Sequence, residues 1–258
     1  MPPEGLSLAP PAEPAQPRSE WFDAGGHRIH TVTAGEGPAV VLLHGYGVSG
    51  TYMLPLARAL AARSCTAYVP DLPGHGRSPR GGSGLGIREL ADAFCAWLDA
   101  AGLARPPVVA NSMGCQVVTD LAVRRPDRVG PLVLIGPTVD PARRGARHQV
   151  FALLRESVRE PLSLVGLAVR ENAVAGIGPL VSAARACLGD PIERRLPLVE
   201  QETVIVHGEQ DGFVGREWVE HAATLLPRGR LVVVPDECHA VHYTRPELVA
   251  EIVCELAG

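Results

Sequence analysis

Lysine is absent from the chain: all 24 basic residues are arginine. Its absence excludes Schiff-base chemistry, a pyridoxal cofactor and a lysine-based phosphate loop. Paired cysteines are also missing. The six present (Cys65, Cys95, Cys115, Cys187, Cys238 and Cys254) contain no C-x-x-C, so they read as small buried apolar groups in a reducing compartment. None of the nine histidines pairs convincingly with a carboxylate or thiolate at metal-ligand spacing, so neither a metal nor another cofactor is expected. No run approaches the ~18 apolar residues of a membrane span, and the N-terminus lacks a basic segment leading into an apolar core. The expectation is a cytoplasmic protein with no membrane partner. A net charge of −4 gives no bulk attraction to nucleic acid. There is no internal repeat and no signal of oligomeric state.

What is present is a chain of 258 residues, 46% hydrophobic and 20% charged, enough for one large α/β domain or a domain with an insertion. Residues 1–18 are rich in proline and alanine without periodicity and read as a disordered, dispensable tail. Trp21 to Asp23 and His27 to Thr33, joined through Gly25-Gly26, predict a β-hairpin at a sheet edge. Strands and helices then alternate. Ala39 to Leu43, Ala67 to Pro70, Val108 to Val109 and Leu132 to Ile135 read as strands, with helices over Thr51 to Ala62, Ile87 to Ala101 and after Ser112. Such alternation implies a mainly parallel sheet, with ligands at the carboxyl ends of its strands.

The rhythm breaks between Gly136 and about Pro197. Apolar helical patterns (Val150 to Val158, Leu162 to Val169, Ile177 to Leu188) replace strands there, which predicts a helical cap over 137–197 inserted into a core of 19–136 and 198–258. Beyond it the strands Thr203 to Val206 and Leu231 to Val234 alternate with helices over Arg216 to Leu226 and Pro246 to Leu256.

The chain is organised around Val108 to Gly114, VVANSMG, a strand running into a small-residue turn with Ser112 at its apex and a helix beyond. A serine on so sharp a turn stands clear of the sheet, and the helix start aims backbone N–H groups at whatever bonds to its oxygen. Strand and helix backbones nearly touch there, so the residues two before and two after must be tiny; they are Ala110 and Gly114. A serine nucleophile needs a base, and the base an orienting acid. Asp211 lies five residues beyond the Thr203 to Val206 strand, and His239 follows the Leu231 strand. Asp140 and Glu209 are rival acids. His242, read as a pocket wall or a surface histidine, is the rival base. His44 reads as a brace for its loop, and Asp71 and His75 as loop architecture.

With these residues in place the chain resembles the α/β-hydrolase-fold serine hydrolases from about Trp21 to the C-terminus. His44-Gly45-Tyr46-Gly47 is similar to the family's oxyanion segment, DLPGHGRS at Asp71 to Ser78 to its D-x-P-G-x-G-x-S loop, and Asn111 to Gly114 to its elbow. His207-Gly208 with Asp211, and His239 followed by Pro246, resemble its acid and histidine segments. Ala110 and Cys238 depart from glycines that often stand there. The resemblance implies an α/β-hydrolase fold and acyl transfer, with Ser112 attacking a carbonyl, His239 taking its proton and Asp211 holding the imidazole. The backbone N–H groups of Tyr46 and Met113 would stabilise the oxyanion, one such donor contributing roughly 3 to 4 kcal/mol. A serine argues against the dehalogenase and epoxide hydrolase branches, whose nucleophile is aspartate. The partner implied is a small-molecule acyl substrate, an ester or lactone. The alternative is hydrolysis of carbon–carbon bonds in ring-cleavage diketones, which the nine arginines against six acidic residues between Asp140 and Leu196 would suit. A hydrolase-fold ligand-binding protein is the third reading.

Overall fold

A computed structural model describes residues 17–79, 85–175 and 184–257. Most of the tail expected over residues 1–18 lies outside these residues, as does the start of the expected Ile177 to Leu188 helix. Eight strands form one sheet: β1 (Arg18–Ala24), β2 (His27–Ala34), β3 (Ala39–Leu43), β4 (Thr66–Pro70), β5 (Val108–Asn111), β6 (Leu132–Ile135), β7 (Thr203–Gly208) and β8 (Gly229–Val234). Their spatial order is β1-β2-β4-β3-β5-β6-β7-β8. The β1–β2 and β2–β4 pairs are antiparallel and the other five parallel. The hairpin is at the edge as expected, with positive φ at both Gly25 and Gly26, the backbone that two-residue hairpin turns require. It begins at Arg18 rather than Trp21, because edge-strand residues open to solvent carry no apolar signal.

The parallel strands read as unbroken apolar runs because both faces of the sheet are covered. Side chains alternate between the two faces. Val41, Leu43, Val108, Ala110, Leu132 and Leu134 pack on one side with α2 (Ile87–Ala100) and α3 (Met113–Arg124). Val40, Leu42, Val109, Val133 and Ile135 pack on the other with α1 (Leu54–Ala61). The expected helix from Thr51 starts as a 3-10 turn over Gly50–Met53 and becomes α-helical at Leu54, with Pro55 in its first turn where no N–H is needed.

Between β6 and β7 the described residues contain no strand. They hold α4 (Ala146–Arg159), α5 (Leu162–Ala175), a helical stretch at 184–189 and a short helix at Ile192–Arg195. After β7 come α6 (Arg216–Leu225) and, after β8, a four-residue turn of helix at Val241–Thr244 and α7 (Pro246–Ala257). Among the described residues no helix is long and apolar enough to cross a membrane.

Candidate active site

Topology delivers the candidate residues to one end of the sheet. Strands β3 and β5 are neighbours, with Leu43 opposite Ala110, so the chain leaving β3 at His44 and the chain leaving β5 at Ser112 emerge side by side. Gly114 marks how close they run: a Cβ there would lie 2.7 Å from Leu43 O and 2.8 Å from His44 O. Backbone cannot yield to such a contact, so only glycine fits. Ala110, the departure on the strand side, is fully buried in β5 and its carbonyl accepts the Cys115 thiol at 3.3 Å.

Ser112 stands between β5 and α3 with φ of 53° and ψ of −118°, a conformation costly for any residue with a Cβ. Its N–H donates to Ile135 O at 3.0 Å, tying the turn to β6. Its hydroxyl lies 3.5 Å from Thr138 Oγ1, a contact too long to immobilise it. Met113 opens α3, so its N–H is among those left without an intrahelical partner.

The structure brings Asp211 and His239 together. His239 Nδ1 lies 2.7 Å from Asp211 Oδ2. Asp211 Oδ1 accepts from the N–H groups of Phe213 at 2.8 Å and Val214 at 3.0 Å, which fixes the carboxylate and leaves its second oxygen for the ring. Because β7 runs on to Gly208, Asp211 follows the strand by three residues rather than five. Asn111, the residue before Ser112, donates to the carbonyls of Ile135 at 3.2 Å and His239 at 3.3 Å, so the elbow and the histidine loop share one amide. Phe213 packs against the imidazole with ring centres 4.9 Å apart.

Charge follows from this packing. Burial opposes protonation of His239, but the Asp211 charge and hydrogen bond, with Glu156 and Glu160 nearby, push the imidazole up to about 9. Burial works against the Asp211 carboxylate too, yet His239 and the Val214 N–H hold it below the usual range.

The rival residues are committed elsewhere. Asp140 caps Ala142 N at 2.9 Å and accepts from Gly215 N at 3.2 Å, and Arg143 approaches it to 3.3 Å. Glu209 is a half-exposed loop charge 3.9 Å from Arg216. His242 is neither on the surface nor titrating near neutrality. It is fully buried edge-on to Tyr52 with ring centres 4.3 Å apart, and burial lowers it to about 3. The sequence could not show this, since the short helix at Val241–Thr244 that turns it inward carries no periodic signal. His44 does brace its loop: Nδ1 lies 2.8 Å from Gly45 O while Nε2 accepts from Leu72 N at 3.0 Å. Asp71 is architectural as expected, accepting from Gly50 N, Arg77 N and His30 Nδ1.

Sequence reasoning missed Thr138, near the Ser112 hydroxyl, and two carboxylates, Glu156 of α4 and Glu160 just past its end. Glu156 accepts from Gly212 N at 2.7 Å and His239 N at 3.1 Å, and Glu160 from Ala240 N at 3.1 Å. Burial, with Glu156 nearby, raises Glu160 to about 7 against the pull of the Ala240 N–H. No local pattern announces such contacts, because the partners are main-chain atoms 56 to 83 residues away.

Residues 40–252 match the Alpha/beta hydrolase family, and the chain belongs to it. Among curated relatives, the pimeloyl-[acyl-carrier protein] methyl ester esterase of Nitrosomonas europaea is 28% identical over 85% of this chain and 95% of its own. Haloalkane dehalogenase 2 of Mycobacterium bovis is also 28% identical, over 93% of this chain and 95% of its own. A solved N-acyl homoserine lactone degrading enzyme superposes with a TM-score of 0.77 at 24% identity, covering 92% of this chain and 99% of its own, a likeness of fold.

Proposed function

We propose that the protein is a serine hydrolase that cleaves a carboxylic ester or lactone through an acyl-enzyme on Ser112. The observation that carries this reading is a serine on a strained strand-to-helix turn whose neighbour Asn111 donates to the His239 carbonyl, with the buried His239–Asp211 pair closed at 2.7 Å. Ser112 attacks the acyl carbon as His239 Nε2 takes its proton. Asp211 keeps the remaining proton on Nδ1 and stabilises the imidazolium. The N–H groups of Met113 and Tyr46 receive the oxyanion. The serine proton then passes from His239 to the leaving alkoxide, and water, activated by the same ring, releases the acid. The Ser112 hydroxyl must rotate from Thr138 towards the ring, in keeping with catalytic hydrogen bonds that tighten only around substrate.

The name of the methyl ester esterase relative supports ester-type substrates. Serine in the nucleophile position separates this chain from the dehalogenase. Residues 137–197 form, in this reading, a helical cap that shapes the acyl pocket. The test is intact-protein mass spectrometry after exposure to a fluorophosphonate, with p-nitrophenyl acetate and butyrate hydrolysis followed in parallel. Labelling and turnover that both vanish in Ser112→Ala, with kcat down by about a million-fold, are expected. A folded wild-type protein that neither labels nor turns over overturns the reading.

A further inference from the structure

We propose that Glu156 is a positioning residue: its carboxylate, carried on α4, ties the Asp211 loop to the His239 loop and so holds the imidazole in line with its acid. The inference rests on the hydrolase reading above only for its catalytic consequence. The tie itself is geometric.

Each oxygen of Glu156 has its own donor. Oε1 accepts from Gly212 N at 2.7 Å, the amide next after Asp211, and Oε2 accepts from His239 N at 3.1 Å. Glu160, the residue that ends α4 in extended backbone, accepts from Ala240 N at 3.1 Å through Oε1. The end of α4 and the residue that caps it thus collect three backbone donors from two loops. These loops follow the neighbouring parallel strands β7 and β8; two backbone bonds, Glu209 N to Val234 O at 3.0 Å and Gln210 N to Glu237 O at 2.8 Å, join them just past the strand ends, and Glu156 adds the tie at Gly212 and His239 themselves. Glu156 is buried, so both donors would be stranded without it, and a buried unpaired N–H is destabilising. A bridge one carboxylate wide joins the loops at His239 and at the residue after Asp211, where the backbone bonds at Glu209 and Gln210 do not reach, and so holds the two side chains in register.

The same cluster, with Cys238, brings three ligand-type atoms within 4.8 Å of one another. Three of its four carboxylate oxygens already face backbone donors, which makes it a hydrogen-bonding clamp rather than a cation cage. The tie also sets a negative charge beside the ring. Among the described residues, the titratable groups that face His239 are Asp211 and His207 from the β7 end, Glu156 from α4, Glu160 just past it, and His242 from the short helix.

The test compares the full-length wild type with Glu156→Gln, Glu156→Ala and, as a control for damage to α4, Val158→Ala at a solvent-exposed position of the same helix. Gln keeps the shape and one acceptor but turns an NH2 towards the second amide. In Glu156→Gln the expected result is a kcat for p-nitrophenyl butyrate lowered about tenfold with KM little changed, and in Glu156→Ala a loss of about 100-fold, the scale of a 1 Å misplacement. In both, the acid limb of kcat/KM moves to lower pH, because a negative charge near the imidazole is gone. A role confined to folding the cap would move KM or melting temperature and leave the acid limb where it was. Val158→Ala behaves as wild type. A folded Glu156→Gln protein with wild-type kcat and acid limb overturns the proposal. If Glu156→Ala does not fold, the Gln variant decides. If the wild type itself neither labels nor turns over, the hydrolase reading falls and the tie is decided by NMR titration of the His239 imidazole. A midpoint lower in Glu156→Gln than in wild type supports the tie, and an unchanged midpoint overturns it.

Discussion

Leu134, in the middle of the sheet, has no exposed surface, whereas Leu154 on α4 leaves 63% of its surface in solvent. The contrast extends to their surroundings. Every residue of β5 and β6 is buried, while Val150, Phe151, Leu153, Val158 and Leu162 of the helical stretch between β6 and β7 are exposed. The sheet is held by apolar burial on both faces. The helices between β6 and β7 bury only a few apolar residues, Ala152 and Leu164 among them, and add polar ties: Glu156 and Glu160 on the acid and histidine loops, and Glu171 of α5 on the Ser49 hydroxyl at 2.5 Å. A segment that buries few apolar side chains opens at less cost than one built into a core.

That contrast can be broken at several points. The largest effect is expected below the helices, at Asp211. Asp211→Asn keeps the shape but loses the acceptor for Nδ1–H, so kcat for ester hydrolysis falls by about 10⁴-fold while the melting curve moves far less. An equally large loss from Leu154→Ala would put the chemistry in the helices instead. Next come paired truncations: Leu134→Ala should destabilise by about 2–5 kcal/mol in urea melts, and Leu154→Ala by no more than about 0.5 kcal/mol. Equal costs would mean that α4 is packed as tightly as the sheet. The pH profile follows. His239 must be neutral to accept the serine proton, and its affinity for protons is raised, so kcat/KM should climb as pH increases from 6.5 towards about 9, where the ring loses its proton. A plateau already complete at pH 6.5 would show that Asp211 does not govern the ring. The smallest effect concerns Ser112, whose φ of 53° is strained. Ser112→Gly should melt higher than Ser112→Ala by a few degrees, corresponding to roughly 1 kcal/mol, while both are inactive.

How much of this was legible depends on where each residue's partners lie. The strands around Val41, Val109 and Val133 could be read because burial on both faces leaves an unbroken apolar run, and the elbow because Gly114 and Ser112 obey a local steric rule. The pairing of Asp211 with His239 was readable from chain order and strand ends. Other features have no local cause. His207 and Gly208 extend β7 although neither suggests a strand, since pairing with Val233 and Val234 decides the matter. His242 is buried because Tyr52, far off in the chain, closes over it. Glu156 looked like any charge on a helix because what it binds are main-chain N–H groups, which every sequence supplies equally.

Gly136 ends β6 with a φ of +54°, and a Cβ on it would sit 2.7 Å from His239 Cε1, 2.8 Å from Nδ1 and 3.0 Å from Asp211 Oδ2. For anyone redesigning this hydrolase, one wall of the site is therefore closed to variation. A library at position 136 is expected to retain ester hydrolysis only for the parent glycine, whereas Thr138, two residues on and 3.5 Å from the Ser112 hydroxyl, is where a different side chain can reshape what the serine meets.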